Sequence, residues 1–360
     1  MRILHIAQIL QGGTASHMNE LIALQSRSSQ VHWLGLLAPM DEVHYLDSAR
    51  IGHLRTFASS ARNPRALWAF AQAARQTILE TRPDIIHLHG TFAGFVVRLL
   101  GLVAWQCRRP TVYCSHGWAF NMRMGAPARG AFALAERLLA RRTEKILCIS
   151  RFEMLSAKER GLPIERLAMV YNGIEDNAGT IPAINPEGDI LRLLFVGRDC
   201  RQKGFDILVD AIRLIAEKPI RLEAAGPEPR AGLPENIEAL GWIDRADVSH
   251  RLARADALVM PSRWEGFGLA ALEAMRQGKA VIAASVDALP ELVIHGETGI
   301  LVPPDDPQAL AGALSGLTRE TLQEMGRQGR AHYLANFTAV QMHREIERIY
   351  GEICPPAKAW

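Results

Sequence analysis

Two glutamates separated by seven residues stand out in the stretch "SRWEGFGLAALEAMRQGKAVI", which begins at Ser262. Glu265 directly precedes Gly266-Phe267-Gly268, and Glu273 lies inside an otherwise apolar helical run, Leu269 to Met275. Glycines at a helix start free the backbone, and the uncapped N–H groups there suit a diphosphate or sugar hydroxyls. An ionised glutamate only accepts hydrogen bonds, which suits a vicinal diol such as a ribose. Left buried and unpaired it would cost several kcal/mol, so Glu273 requires a partner. Capping and a surface salt bridge are the plainer readings of the pair.

Cations and histidines occupy comparable places elsewhere. In "LLFVGRDCRQKGFDIL" an apolar strand ends at Val196, Gly197 turns the chain, and Arg198 and Lys203 precede a helix starting near Phe205. Two fixed cations there form a phosphate clamp; the plainer reading is two exposed basic residues in a loop. "HIAQILQGGTASHMNEL" reads as strand, Gly12-Gly13 turn and helix, and it lacks the Gly-x-Gly-x-x-Gly dinucleotide fingerprint. The turn lets a ligand approach the backbone closely, unless it is simply tight. "TVYCSHGWAF" puts His116 just past a strand, where its imidazole would point into a cleft and hydrogen-bond a polyhydroxylated ligand or steady developing charge; a structural histidine is the alternative. "DIIHLHGTFAG" puts His87 and His89 on one face of a strand end, with no third histidine close by in sequence, so no metal site is expected.

These motifs need elements to hold them. Strand-like runs Arg2–Ile9, Val31–Leu37, Ile85–Leu88, Thr111–Cys114, Lys145–Ile149 and Leu167–Tyr171 alternate with helical patterns at Ser16–Ser26, Pro64–Glu80 and Ala128–Arg142. "NGIEDNAGTIPAINPEGD", Asn172 to Asp189, has no apolar period and reads as a linker. A second series follows: strands Leu191–Val196, Arg221–Ala225, Ile237–Leu240, Ala257–Met260, Ala280–Ala284 and Gly299–Val302, with helices Phe205–Glu217, Val248–Ala253, Gly268–Gln277 and Pro307–Leu314. Near-continuous apolar strands between amphipathic helices predict parallel sheets covered on both faces. The fold class is α/β, two doubly wound Rossmann-like domains, over 1–175 and 190–338, with an amphipathic segment, Ala339–Ile353, in the remaining 339–360. Ligands of such sheets bind beyond the carboxyl ends of the strands, and the expected site is a cleft between two such domains.

Composition excludes several classes. The 360 residues carry a formal net charge of +3 and are 48% hydrophobic and 22% charged, as in an ordinary globular protein of two or three domains and without the charge excess of a nucleic-acid binder. The five cysteines show no Cys-x-x-Cys spacing, which points to buried thiols in a reducing, cytoplasmic compartment rather than a disulfide framework or zinc site. The N-terminal apolar run is broken by His5 and Gln8 and reads as a strand rather than a signal peptide; "GFVVRLLGLVAWQC" is too short for a bilayer and carries Arg98. From Arg98 to Lys145 there are nine Arg/Lys against Glu136 and Glu144, either a solvated face or a surface for phosphates or anionic lipid.

"GRDCRQKG", "ADALVMPSRWEGFGLAALEAM", "GKAVIAASVDALPELV" and "HGETGILVPPDDPQAL" follow one another in order. In this the chain resembles the retaining glycosyltransferases of family 4, which have the GT-B fold. The likeness is nearly complete over the second domain and looser over the first, where the Gly-Gly loop and "SHGWAF" carry it. The resemblance implies a hexosyltransferase-type enzyme that moves a sugar from a nucleotide diphosphate sugar, UDP-linked or GDP-mannose, to a saccharide or polyprenyl-diphosphate-linked saccharide acceptor, as in surface or exopolysaccharide synthesis. It gives Glu265 contact with the donor sugar and Glu273 the ribose. Arg198 and Lys203 take the diphosphate, Gly266, Phe267 and Gly268 are backbone donors, and His116 is the cleft histidine. Gly12, Gly13, Gly197 and Leu269 belong to the same donor-contacting set, and the base would lie near Gly226 and the turn at Trp242-Ile243. The family commonly has Gly-Gly where this chain has Asp287-Ala288. The last helix is expected to cross back onto the first domain.

Charge on the leaving phosphate would be met by Arg198, Lys203 and the helix dipole, with neither cofactor nor metal. No nucleophilic carboxylate is evident on the opposite sugar face, so same-face attack with retention is implied. The acceptor falls to the first domain, and the basic region with "ARGAFALAERLLARR" suggests peripheral contact with the inner face of a membrane. A nucleotide-sugar epimerase or hydrolase of the same shape, and a non-catalytic nucleotide-sugar-binding protein, are the alternatives.

Overall fold

The computed structural model describes residues 1–122, 124–177 and 188–355. The chain divides into two compact units, Met1–Gly173 with Ala339–Trp360, and Ile174–Thr338. Part of the linker stretch read from the sequence, 178–187, lies outside the described residues.

Unit 1 holds seven strands: β1 (Arg2–Ala7), β2 (Trp33–Pro39), β3 (His53–Phe57), β4 (Ile85–His89), β5 (Thr111–Cys114), β6 (Lys145–Cys148) and β7 (Leu167–Met169). Their spatial order is β3-β2-β1-β4-β5-β6-β7, and every pair is parallel. Helices α1 (Gly13–Gln25), α2 (Pro64–Thr81), α3 (Thr91–Val103), α4 (Ala126–Ala140) and α5 (Arg151–Glu159) supply the crossovers. β1, β4 and β5 are almost wholly buried, as strands covered on both faces must be.

Unit 2 holds β8 (Leu191–Val196), β9 (Ile220–Ala225), β10 (Ile237–Ala239), β11 (Ala257–Met260), β12 (Ala280–Ala284) and β13 (Gly299–Val302) in the order β10-β9-β8-β11-β12-β13, again all parallel. Its helices are α6 (Phe205–Leu214), α7 (Arg245–Arg254), α8 (Leu269–Arg276), α9 (Leu289–Leu292), α10 (Pro307–Ser315) and α11 (Arg319–Asn336). Both units are doubly wound α/β layers.

The last helix, α12 (Ala339–Ile353), belongs to unit 1 and packs on α1. It buries Ala339, Met342, Ile346, Ile349 and Tyr350, a helical stripe. Each fully buried large side chain contributes roughly 1.5–3 kcal/mol. Ser28, just past α1, donates to Glu347.

Several elements escaped the sequence reading for physical reasons. α3 falls in the apolar run "GFVVRLLGLVAWQC", whose uniform hydrophobicity hides a helical period; it buries Ala93, Gly94, Val97 and Arg98 on one side. β3 is a short edge strand that alternates polar and apolar residues. α11 is so polar that its buried stripe, Leu322, Gly326, Gly329 and Tyr333, is hard to see, though a capping box at Thr318 marks its start. Caps also moved boundaries: Gly12 starts α1 at Gly13, and Asp244 accepts from Asp247 N–H to start α7 at Arg245.

The basic region needs one correction. Arg98 is not part of a solvated face. It pairs with Glu136 at 2.8 Å, lies 3.9 Å from the Tyr113 ring centroid, and both charges are buried. Tyr113 Oη donates to the second Glu136 oxygen at 3.0 Å. The ion pair is an internal brace among α3, α4 and β5, kept neutral as a unit.

Candidate functional site

In an open parallel sheet, ligands gather where the strand order reverses. In unit 2 that point lies between β8 and β11, and the predicted cations and the first glutamate come from the loops that follow these two strands. Lys203 Nζ donates to Glu265 Oε2 at 2.6 Å, with the two side chains 21% and 10% exposed. Ser262 Oγ donates to the same oxygen at 3.2 Å. Arg198 is exposed and makes no ion pair among the described residues.

The backbone around this pair tolerates little change. A Cβ at Gly204, which has φ of 69°, would meet the Pro261 carbonyl oxygen at 2.0 Å. The start of α6 is thereby pressed against the loop after β11. Gly226, with φ of 114°, would place a Cβ 2.1 Å from the Gly197 carbonyl oxygen, so the ends of β8 and β9 meet backbone to backbone. Arg263 ties the loops together through Asp206, at 2.8 and 2.6 Å, and the Arg201 carbonyl, at 2.9 Å. Its hydrogen bond holds the Asp206 carboxyl below the usual range.

Asp287, where the resemblance expects glycine, has φ of 47°, a left-handed conformation that glycine adopts freely. Its carboxylate accepts the Glu265 N–H at 2.7 Å. Asp287 thus fixes the backbone of the glutamate, a role the sequence reading missed. The glycine consensus was the one signal that could have found it.

Gly266, Phe267, Gly268 and Leu269 lead into α8. Gly268 caps that helix with no side-chain hydrogen bond, so its first N–H groups stay available. Phe267 is buried. Glu273 is mostly covered, and the partner it required is Arg245, whose Nη2 lies 3.1 Å away. Trp242 is 74% exposed on its turn, with Ile243 half-buried beside it.

Unit 1 reverses its strand order between β1 and β4. Gly12, with φ of 56°, and Gly13 are exposed at the head of α1. The loop before them is held by buried Glu42, which accepts from Leu10 N–H and from the Gln11 amide, both at 2.6 Å. Below the loop the fold assembles five imidazoles, although no third histidine lies near His87 and His89 along the chain. His5 and His87 are register partners on β1 and β4. His5 Nδ1 faces His89 Nε2 at 2.9 Å, and His89 Nδ1 faces His116 Nε2 at 3.0 Å. Burial lowers the pKa of His5 and of His17 to about 4, and it holds His87, His89 and His116 well below the ordinary imidazole value. All five rings are neutral near pH 7.

His116 departs from the expectation that its ring points outward. Its second nitrogen, Nδ1, lies 3.6 Å from Cys114 Sγ, so both ring nitrogens face the interior of unit 1. Its φ of 55° turns the chain immediately after β5. All five cysteines are free thiols.

Two family models match the chain: glycosyl transferase 4-like domain over residues 12–173 and glycosyl transferases group 1 over residues 191–320. An uncharacterized 41.2 kDa protein in the cps region of Klebsiella pneumoniae is 30% identical, covering 84% of this chain and 86% of its own. The D-inositol 3-phosphate glycosyltransferase of Jonesia denitrificans is 35% identical, covering 76% and 74%. The chain belongs to the family-4-like glycosyltransferases. Their GT-B fold is matched by Anabaena HepE, solved in complex with UDP, at a TM-score of 0.80 and 21% identity over 98% of this chain and 100% of that one.

In this glycosyltransferase, unit 2 brings Lys203 and Glu265 into contact and places Arg198, Gly197 and Gly226 at adjoining strand ends. Glu273 stands further along α8 with its own cation. His116, Gly12 and Gly13 belong to unit 1.

Proposed function

We propose that this glycosyltransferase moves a sugar, with retention of configuration, from a nucleotide diphosphate sugar to a saccharide or polyprenyl-diphosphate-linked saccharide acceptor in surface polysaccharide synthesis. UDP-sugars are the favoured donors and GDP-mannose the alternative. The observation that carries this reading is the Lys203–Glu265 contact at the reversal of the unit 2 sheet. An amine and a carboxylate share one point, next to an unpaired guanidinium and an uncapped helix start. The cations suit the diphosphate and the carboxylate suits sugar hydroxyls.

Bond cleavage leaves the glycosidic oxygen on the terminal phosphate. Arg198, Lys203 and the α8 N-terminus meet that charge, so transfer needs no metal. As the acceptor oxygen bonds to the anomeric carbon on the same face, its proton passes to the leaving phosphate oxygen. Glu265, held through its N–H by Asp287, orients the sugar. Glu273 takes the ribose diol, and the base rests toward Gly226, Trp242 and Ile243. The relative from the cps region supports placement in polysaccharide assembly.

A peripheral membrane contact on the cytoplasmic side is supported by one surface. α3 and α4 pack together and leave Phe95, Leu99, Val103, Leu134 and Leu138 exposed, with Trp105 just beyond α3. Arg108, Arg137 and Arg141 are also exposed there. Apolar side chains beside basic ones suit an anionic lipid surface. Among the described residues no helix is long and apolar enough to cross a membrane.

The deciding experiment is a panel of UDP-, GDP- and ADP-sugars scored for binding and for slow nucleotide release without acceptor. One nucleotide class binding the wild type, with release lost in Arg198→Ala and Lys203→Ala, is expected. Equal release by those variants removes the assignment.

A further inference from the structure

The five clustered imidazoles of unit 1 exceed what hydrogen bonding alone explains. Gln25 Oε1 accepts from His5 Nε2 at 2.7 Å, so His5 carries its proton on Nε2 and has a lone pair on Nδ1. Tyr350 Oη meets His87 Nδ1 at 2.6 Å. The other nitrogen of that fully buried ring, His87 Nε2, has no hydrogen-bond partner. His89 Nδ1 is engaged by His116. One ring nitrogen from each of His5, His87 and His89 lies within 4.8 Å of the other two, and in each ring a nitrogen is tied to a side chain, His5 Nε2 to Gln25, His87 Nδ1 to Tyr350 and His89 Nδ1 to His116.

That arrangement is the signature of metal-ligating imidazoles, whose second nitrogen is fixed by an outer partner. We propose that His5 Nδ1, His87 Nε2 and His89 Nε2 form a three-imidazole site for a divalent transition-metal ion of the zinc class, with Gln25, Tyr350 and His116 as its outer support. Three neutral imidazoles, with a water as fourth ligand, constitute a known zinc ligand set. Bonds of about 2.0–2.1 Å set ligand nitrogens roughly 3.3 Å apart in a tetrahedral site. His5 Nδ1 and His89 Nε2, at 2.9 Å, need to part only slightly.

The protons balance without loss. In the metal-free chain His89 Nε2–H donates to His5 Nδ1. On binding, that proton is carried instead on His89 Nδ1, which donates to His116 Nε2. The His116 proton then resides on Nδ1, facing Cys114 Sγ. His87 carries its proton on Nδ1, donated to Tyr350 Oη, in both states, so each ring stays neutral and the His5 Nδ1 and His87 Nε2 lone pairs turn to the ion. Because the three rings are buried, the ion enters as unit 1 folds, before α12 brings Tyr350 over His87. Its effect is structural, joining β1 and β4 beneath α1 and α12. The site is confined to unit 1 and independent of the donor assignment in unit 2.

The test uses the untagged full chain, expressed with zinc in the medium, with metal content measured by elemental mass spectrometry. Protein expressed with cobalt is examined in the visible range. A single equivalent of zinc per chain, cobalt d–d bands of a nitrogen-ligated site, and a lower melting temperature after chelation are expected. His5→Gln and His87→Gln lose the metal, whereas His44→Ala and His250→Ala, at exposed positions, keep it. Wild-type protein free of zinc and cobalt, with a melting temperature that chelator leaves unchanged, overturns the proposal whether or not the variants fold. So does metal retained by His87→Gln and lost in His17→Gln, which would assign the ion to the neighbouring set His17, His89 and His116.

Discussion

The two sheets reverse strand order at equivalent places, between β1 and β4 in unit 1 and between β8 and β11 in unit 2. The chemistry at the two points is opposite. Unit 1 packs neutral imidazoles into its interior, while unit 2 sets a partly exposed ammonium against a carboxylate and leaves Arg198 in solvent. The difference shows that a topological switch point supplies a place but not a function. Buried neutral donors and acceptors suit rigid support or an ion that needs lone pairs. Exposed, movable charges suit a ligand that brings its own charge and leaves again.

The comparison breaks most readily at the cations. Arg198→Ala and Lys203→Ala should each lower kcat/KM for the nucleotide sugar by about 10- to 150-fold, the loss of a charged hydrogen bond worth roughly 1.5–3 kcal/mol. Glu265→Gln should lower turnover in the same range. Steady-state kinetics of all three settles this, and three normal variants would misplace the site.

Acid should find unit 1 first. Its buried imidazoles have folded pKa values below the unfolded one, about 6.5, with His5 and His17 at about 4. The unfolded chain binds more protons, so this stability is present above pH ~6.5 and declines as pH falls toward the folded values. Each such group in metal-free protein costs about 1.4 kcal/mol per pH unit in that window. Unit 2 buries no histidine among its described residues. Hydrogen exchange at pH 7 and 5 should show β1 and β4 losing protection more than β8 and β11.

Asp287 sharpens the picture of unit 2. Asp287→Ala loses the acceptor for Glu265 N–H and keeps the left-handed strain, for about 1–3 kcal/mol. Asp287→Gly relieves the strain and should melt higher than the alanine variant. The smallest effect belongs to the Glu273–Arg245 pair, where Arg245 is half exposed. Arg245→Ala should change stability by roughly 0.2–1 kcal/mol, readable in denaturant midpoints.

Legibility in the sequence followed the kind of signal. Strands such as Leu191–Val196 and Ala280–Ala284 carry continuous apolar runs and coincide with β8 and β12. The polar α11 and the alternating edge strand β3 do not announce themselves, because most of their side chains meet solvent. Glu273 was recognised as needing a partner, yet Arg245, 28 residues away, carries no sequence mark of that role.

By itself the sequence determined the α/β class and the two doubly wound series, because helical and strand periods and glycine turns are local properties; only the family resemblance grouped the charges Arg198, Lys203, Glu265 and Glu273. Tertiary structure alone decided which of those charges touch, where His116 faces, and that His5 joins His87 and His89. Parallel pairing sets β1 beside β4, so residues 82 positions apart become neighbours, and no local pattern along the chain encodes that register.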